Sequence, residues 1–438
     1  MARLSSDLGD LIPRLSNLPP EVILLVIRQM IQQQDSQSIS RLCRTSQEFR
    51  SYTQPLLYET VDIHLDIELG VDPLQSQALL HQGHTGLKYI KHFVVSGNFD
   101  GGSTSVIQPT LYGRLKDFQN QIILSILRNI PPDTLRSFIW STDLEMSVYV
   151  MEQLCKYQQR LEGFWGPQHD EGDPDRLDLA ELSLKGNFKH IHMVGIDRTP
   201  WFELLFQAVR MSAACLETLS LHPSRGLIEV LRENLMWGEP EYGESNQATV
   251  LAAYLNLDIA SPELEPTSDL LFPSLRYLSL REFDESFLTE FPWLKKAINF
   301  TKLEVLKLKD CGGVPSLTSC LRSSQLHLKI LHLVGSGDEL QIRNILMSFD
   351  GLEELSLEHE CEEVNHIALA INNHKNTLKS LYWNPTGPSE DNAPPDLAPD
   401  TKASWLHGLK ILTELAAPPT FRKATQHQPQ DDMVSIAP

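Results

Sequence analysis

The chain has 438 residues, of which 41% are hydrophobic, so it can bury a substantial core and lacks the composition of a disordered protein. Its formal net charge is −20, and residues 1–60 contain six basic and six acidic residues, so the whole acidic excess lies in residues 61–438. An acidic body repels nucleic-acid phosphates and anionic membranes, which argues against both as main partners.

The cysteines and the hydropathy pattern bear on the compartment. None of the six cysteines forms a C-x-x-C pair, and they have the pattern of thiols in a reducing compartment. The N-terminus has no apolar signal-peptide core, and no apolar run approaches the roughly 18 residues of a membrane span. These features predict a nuclear or cytosolic protein without choosing between the two.

The N-terminal 60 residues predict a loose leader followed by a small helical domain. Residues 1–15 are polar and are expected to be flexible. A helix is predicted to start after Leu18-Pro19, because proline is tolerated in a first helical turn. A second short amphipathic helix contains Leu42, and Thr45 and Glu48 have capping-box spacing, which predicts the start of a third helix.

Residues 16–60 resemble the F-box. The likeness is carried by Leu18-Pro19-x-Glu21, by an aliphatic stripe, and by Leu42-Cys43-Arg44 with Phe49-Arg50. The resemblance implies binding of a Skp-type adaptor. It implies that the adaptor-binding residues are Leu18, Pro19, Ile23, Val26, Ile27 and Leu42. The alternative is an ordinary helical cap, which the terminal repeats of a solenoid require in any case.

The rest of the chain repeats the pattern L-x-x-L-x-L, which predicts short parallel strands with alternate residues on opposite faces. Copies start at residues 275, 303, 328, 352 and 378, at intervals of 28, 25, 24 and 26 residues. A further regular copy starts at 216, and less regular copies start at 90, 135, 161 and 188. Between 216 and 275 lie 59 residues, so the number of repeats within 222–270 stays open. The pattern resembles leucine-rich repeats, whose period is about 20–29 residues.

Together the two parts resemble an F-box/leucine-rich-repeat protein. The expected fold class is therefore α/β, with a three-helix F-box at 16–60 followed by a leucine-rich-repeat solenoid, a horseshoe, at 61–415. Loops are expected at 97–110, 236–248 and 384–404, where glycine, serine, proline and acidic residues concentrate. Residues 416–438 form a Pro/Gln-rich tail that is predicted to be disordered.

The strand pattern also predicts a target-binding surface. Because the fourth and sixth positions are core, the third, fifth and seventh face the concave side. The predicted target-binding residues are His190, His192, Tyr277, Arg281, Lys307, Lys309, His332 and Tyr382. Two interpretations are open for the basic spot of Arg281, Lys307 and Lys309. It either consists of solvated residues that balance nearby acids, or it binds an acidic or phosphorylated segment through charge-assisted hydrogen bonds.

Catalytic motifs are missing from the sequence. There is no G-x-S-x-G, phosphate-binding glycine loop, H-E-x-x-H or dinucleotide fingerprint. The nearest arrangement to a metal cluster is His359-Glu360-Cys361-Glu362-Glu363 with His366. A charged surface turn is the preferred interpretation, because a zinc site requires a defined tetrahedral set of ligands. We therefore expect no metal, no cofactor and no enzymatic activity of the chain's own.

The resemblance implies a substrate-recognition subunit of an SCF-type ubiquitin ligase. In that role the F-box binds a Skp-type adaptor, and through it a cullin–RING ligase, while the repeats bind a protein substrate whose identity the sequence does not give. The alternative is a leucine-rich-repeat interaction scaffold that is not attached to a ubiquitin ligase.

Overall fold

The computed structural model describes sixteen stretches of the chain. These are residues 18–33, 36–66, 70–71, 77, 79–81, 84–97, 109–142, 146–166, 187–196, 199–223, 272–282, 298–311, 326–336, 338–360, 364–386 and 412–416. The chain divides into two compact units, Met1–Leu161 and Glu162–Pro438, called unit 1 and unit 2.

Unit 1 begins with three helices, α1 (Pro20–Gln32), α2 (Ser36–Thr45) and α3 (Gln47–Leu57). Ile23 and Ile27 of α1 and Phe49 of α3 form a buried cluster, because Ile23 and Ile27 lie one turn apart on the same helix face. The Ser46 hydroxyl caps α3 by accepting a hydrogen bond from the Phe49 N–H at 3.0 Å. The cap is therefore one residue later than the Thr45 that the capping-box spacing predicted.

A parallel sheet follows the helices in unit 1. Its elements are β1 (Thr60–Asp66), β2 (Gly70–Val71), β3 (His92–Ser96), α4 (Pro109–Asn129), β4 (Ser137–Ser141) and α5 (Val148–Tyr157). Strand β3 pairs in parallel with β1 and β4, while the two-residue β2 pairs antiparallel with β1. The rings of Phe93, Phe138 and Trp140 stack beneath the sheet, with centroids 6.1 and 6.2 Å apart, and form its aromatic core.

Unit 2 is a longer parallel sheet. Its elements are β5 (Gly163–Trp165), β6 (His190–Ile196), α6 (Thr199–Ser212), β7 (Thr218–Pro223), β8 (Tyr277–Arg281), β9 (Val305–Lys309), β10 (Ile330–Val334), α7 (Glu339–Leu346), β11 (Glu354–Glu360), α8 (Val364–Asn372), β12 (Ser380–Thr386) and β13 (Glu414–Ala416). Each strand pairs in parallel with the next one along the chain.

The leucine pattern determines which residues of these strands are buried. Leu306 pairs with Leu331, and Leu308 pairs with Leu333, and all four side chains are fully buried. Successive strand residues point to opposite faces, so every second residue of each repeat joins one continuous apolar core. The residues between them form the opposite face of the sheet, where the side chains are half-buried or exposed apart from small buried residues such as Ser220 and Ser279.

A ladder of alternating charges runs along the residues that precede the strands of unit 2. In chain order its members are Glu162, Lys189, Glu217, Arg276, Glu304, Lys329, Glu353 and Lys379. Each backbone N–H bonds to the carbonyl of the preceding member, as between Lys329 and Glu304 at 2.8 Å. The side chains of this pair also bond, with Lys329 Nζ 2.7 Å from Glu304 Oε2, and Arg276 lies 3.7 Å away on the other side of Glu304. The attraction between successive, oppositely charged members therefore favours one register of the parallel strands.

The structure corrects the predicted fold class. The described residues form open sheets of parallel α/β type, so a separate three-helix F-box followed by a leucine-rich-repeat horseshoe is wrong. Helices α1–α3 belong to the same compact unit as β1–β4. Among the described residues, α6, α7 and α8 precede β7, β11 and β12, and a 3-10 turn, Phe300–Lys302, precedes β9. The motif specifies each strand locally, whereas the segments between the strands determine which helices and turns pack against the sheet.

Several predicted segments lie outside the described residues. They include the leader 1–15, the tail after residue 416, the loop 236–248, and residues 387–404 of the loop predicted at 384–404. Of the loop predicted at 97–110, residues 98–108 lie outside, and residues 109 and 110 begin α4. Residues 384–386 of the loop predicted at 384–404 belong to β12, so the prediction is wrong for these three residues.

Replacing Glu304 by lysine is expected to destabilise unit 2, because it places three cations side by side where Glu304 now lies between Arg276 and Lys329. The matched control is Glu304→Gln, which removes the attraction without adding repulsion. In urea melts the midpoint should fall in the order wild type, Gln variant, Lys variant, with a modest total change because the pairs are partly exposed. Equal midpoints for all three proteins would show that the ladder does not stabilise the sheet.

Candidate functional site

The strand register brings most of the predicted target-binding residues onto one face of unit 2, called the outer face. Its central row has one residue per strand, from β5 to β12. The row consists of Trp165, His192, Ser220, Ser279, Lys307, His332, Ser356 and Tyr382. On one side of this row His190, Thr218 and Tyr277 are in register, and on the other side Arg281 lies opposite Lys309.

Four rings of the outer face form a continuous aromatic cluster, defined as Trp165, His190, His192 and Tyr277. The Trp165 ring stacks on His192 with centroids 5.0 Å apart and planes 13° apart, and it reaches His190 at 6.3 Å. The His192 and Tyr277 rings lie 6.0 Å apart, although β7 separates their strands. The ammonium of Lys307 lies 5.7 Å from the centre of the Tyr277 ring, within cation–π range.

Small side chains explain why rings on non-adjacent strands can meet. Ser220 and Ser279 occupy the row between His192 and Lys307, and both are buried beneath their larger neighbours. Nε2 of His222 lies 3.3 Å from the Ser220 hydroxyl and 3.2 Å from the Ser279 hydroxyl. Ser279 also hydrogen-bonds with the Tyr277 side chain. This network fixes the orientation of Tyr277 and His222.

The histidines at the centre of the face are neutral at physiological pH. Burial lowers the pKa of His192 to about 4, with smaller contributions from the neighbouring His222 and His190. Burial also lowers the pKa of His222 to about 4, and the positive charge of Arg281 adds to that effect. The positive charge near the aromatic cluster therefore comes from Arg281, Lys307 and Lys309, which we call the basic group.

The basic group retains free capacity for an anion. Arg281 uses Nε to contact the Glu282 carboxylate at 2.9 Å, and this pair is partly exposed. Among the described residues, no carboxylate lies within ion-pair distance of Lys307 or Lys309. Two strands further on, the charge reverses, because Glu354 and Glu358 lie on the outer face of β11. The positive potential of the face is thus confined to β8 and β9.

His332 and Tyr382 lie further along the same row. His332 on β10 bonds to Glu354, with Nε2 2.7 Å from Oε1, and burial lowers its pKa in spite of this carboxylate. Tyr382 on β12 is 42% exposed and three strands away from Lys307. These two predicted residues share the outer face and the row, but not the aromatic cluster.

Sequence reasoning missed two residues of this site, Trp165 and Ser279. It placed His222, the seventh position of the copy at 216, on this face but gave it no role. Trp165 is the fifth residue of the irregular repeat that starts at Leu161, so the same alternation could have placed it on the outer face. No sequence signal could have identified the bonds of His222 to two serines, because Ser279 is 57 residues away.

The predicted adaptor-binding residues are divided between the interior and the surface of the N-terminal helices. Ile23, Ile27 and Leu42 are at most 4% exposed, and Val26 is half-buried. Leu18 and Pro19 are exposed. Two further apolar residues of α1 that the prediction omitted are exposed, namely Val22 at 38% and Leu25 at 63%. The apolar surface of α1 is therefore the side opposite the predicted stripe.

The described residues offer little for metal or acid–base chemistry. They contain no group of three or more histidine, cysteine, aspartate or glutamate side chains able to bind a metal ion. Of the sequence cluster at 359–366, His359 is buried, His366 Nδ1 lies 3.0 Å from Glu339 Oε1, and residues 361–363 lie outside the described ranges.

The Ser279–His222 pair has the separation of a nucleophile and its base. Its hydroxyl is buried and already bonded to Tyr277, and the nearby Glu282 carboxylate is held by Arg281. We assign this network a role in positioning the rings of the aromatic cluster.

Comparison with known protein families gave no match, and no curated protein matches the sequence. The arrangement of the chain's own side chains is therefore the basis for a function. Within the described ranges, none of the helices combines the length and apolar character that crossing a membrane requires.

Acidification is expected to destabilise the outer face. His192 and His222 have folded pKa values of about 4, below the ordinary value of 6.5, so between these values the unfolded chain binds more protons. Their contribution to stability is complete above pH 6.5 and is lost as the pH falls towards 4. The loss at pH 5 is up to about 2 kcal/mol for each histidine.

The measurement is the free energy of unfolding from urea melts at pH 7 and pH 5. A His192→Gln/His222→Gln double variant should lose less stability over this interval than the wild type does. The carboxylates and His359 contribute equally to both proteins, so they cancel in the comparison. An identical loss in the two proteins would contradict the assignment of neutral histidines.

Proposed function

We propose that this chain is a substrate-recognition subunit of an SCF-type (Skp–cullin–F-box) E3 ubiquitin ligase, acting in the cytosol or the nucleus. In this proposal the N-terminal helices bind a Skp-type adaptor, and through it a cullin–RING ligase. The outer face of unit 2 binds the target protein. The chain contributes proximity between the target and the ligase, and it carries out no chemical step itself.

The observation that carries the proposal is the exposed apolar surface of α1. Single exposed apolar residues are ordinary, but Val22 and Leu25 are three residues apart and share one helix face, and the exposed Leu18 lies two residues before the helix. The same helix buries Ile23 and Ile27 against Phe49 on its other side. A short helix that is apolar on two sides packs one side internally and leaves the other for a partner.

The outer face supports the second half of the proposal. Aromatic residues and arginine are enriched at the centres of protein interfaces, and this face combines Trp165, Tyr277 and Arg281 with two lysines. The resemblance of residues 16–60 to the F-box joins the two surfaces in one function.

A protein-interaction scaffold that is not attached to a ubiquitin ligase is the second candidate. It is favoured by the burial of Ile23, Ile27 and Leu42, because much of the aliphatic stripe that resembles the F-box closes the helical cluster internally. Helix α3 also contacts the segment before β3, with Gln54 Nε2 3.1 Å from Thr85 Oγ1. In this alternative the helices only cover the first strands of unit 1.

Replacing Leu25 by aspartate is expected to abolish adaptor binding without unfolding the chain. Leu25 is 63% exposed, so the substitution should be tolerated in the free protein, but in the complex it would bury an unpaired charge. The matched control is Leu340→Asp on α7, because Leu340 is 61% exposed. In pull-downs with a purified Skp-type adaptor, we expect the Leu25 variant to bind roughly tenfold more weakly or worse, and the control to bind as the wild type does.

Two outcomes would count against the proposal. If the wild type does not bind the adaptor, the scaffold alternative is favoured. If both variants bind like the wild type, α1 is not the adaptor surface. Ile27→Asp is a poor test, because Ile27 is 1% exposed and the charge would disrupt the helical cluster itself.

A further inference from the structure

We propose that the outer face of unit 2 binds an extended anionic peptide segment that carries an aromatic side chain about four residues away from its negative charge. This inference rests on the proposed function, because it names the class of target that the receptor would bind. The anion can be a carboxylate or a phosphate, since both bind lysine and arginine through the same charge-assisted hydrogen bonds.

The aromatic requirement follows from the continuity of the cluster. Trp165, His192 and Tyr277 form a strip of rings that crosses from β5 to β8, and His192 is available as a neutral aromatic ring near pH 7 because burial lowers its pKa to about 4. The buried Ser220 and Ser279 let the rings approach, and Ser279 hydrogen-bonds with the Tyr277 side chain. Fixed rings lose little conformational entropy on binding, so a guest ring can stack on them favourably.

The charge requirement follows from the basic group. Arg281 and Lys309 are register partners on neighbouring strands, and Lys307 lies beside them over the Tyr277 ring. Against a chain with a net charge of −20, this is a local reversal of sign next to the aromatic cluster. Glu354 and Glu358 on β11 repel an anion beyond β10, so the favourable position for it is over β8 and β9.

The spacing requirement follows from the geometry of the sheet. His192 on β6 and Lys307 on β9 lie in the same row, three strand spacings apart, or roughly 14 Å at about 4.8 Å for each spacing. An extended peptide advances about 3.3 Å per residue, so roughly four residues separate the ring from the anion. A peptide that crosses the strands can therefore satisfy both parts of the site at once.

A nucleic acid is the competing ligand, because single strands also bind aromatic side chains and lysines. The overall charge of the chain disfavours it, since its acidic body repels the other phosphates of a strand. Binding of a single strand therefore serves as an outcome that would overturn the proposal.

The test is fluorescence anisotropy with the full-length chain and labelled synthetic peptides. The reference peptide is GWGAAEEEG, in which the glutamates begin four residues after tryptophan. Four comparison peptides are used. Three of them replace the tryptophan by alanine, replace the glutamates by glutamines, or place the glutamates directly after the tryptophan. The fourth replaces the first glutamate by phosphoserine. A (dT)10 oligonucleotide represents single-stranded nucleic acid.

The reference and phosphoserine peptides should bind, and each of the other three peptides should bind several-fold more weakly. The Lys307→Glu/Lys309→Glu variant should weaken binding of the reference peptide by roughly tenfold or more. Its matched control is Lys302→Glu/Lys375→Glu, which changes the net charge equally at exposed lysines outside the outer face. This control should bind like the wild type, and circular dichroism checks that both variants are folded.

Three results would overturn the inference: no binding of the reference peptide by the wild type, equal weakening by the two charge-reversed variants, or tighter binding of the oligonucleotide than of any peptide. A tryptophan-independent affinity would remove the aromatic cluster from the site. Failure here is distinct from failure of the proposed function, because adaptor binding is measured separately on α1. A chain that binds the adaptor but none of the peptides would keep the function and lose this target class.

Discussion

The register of the parallel strands in unit 2 is the constraint on which the candidate site depends. Each strand hydrogen-bonds to the next one along the chain, and the residue before each strand bonds in the same way. A shift by one residue would move the leucines to the outer face and the rings to the core, which is prohibitively costly. The alternating charges that precede the strands add a second preference for the same register.

The outer face shows how a few small residues control a large surface. Ser220 and Ser279 have small side chains, which leave space above the sheet. The Tyr277 side chain extends into this space, and its ring centroid lies 6.0 Å from that of His192. Burial keeps His192 and His222 neutral, so they act as aromatic surface and hydrogen-bonding groups rather than as cations. The face therefore has an aromatic part and a separate cationic part. A bound segment that carries one aromatic ring and one anion can match both parts in only one orientation.

The N-terminal helices illustrate a limit of amphipathic patterns. Residues 22–27 of α1 are all apolar or nearly so, and a sequence with two apolar sides does not say which side packs internally. The structure buries Ile23 and Ile27 against Phe49 and leaves Val22 and Leu25 exposed. The predicted adaptor-binding stripe was therefore assigned largely to the side that closes the helical cluster, because packing partners decide the question and they lie more than 20 residues away in the sequence.

The sequence by itself determined the strands and their buried leucines, because alternation within six residues is a local property of the chain. Leu306, Leu331 and Leu355 could be placed in the core from spacing alone, and so could Lys307 and His332 on the opposite face. The fold class was predicted wrongly, because the division into two compact units depends on contacts between distant residues. Only the tertiary structure decided that Trp165, His192, Tyr277 and Lys307 form one continuous surface, since ring contacts across three strands depend on the size of the side chains between them.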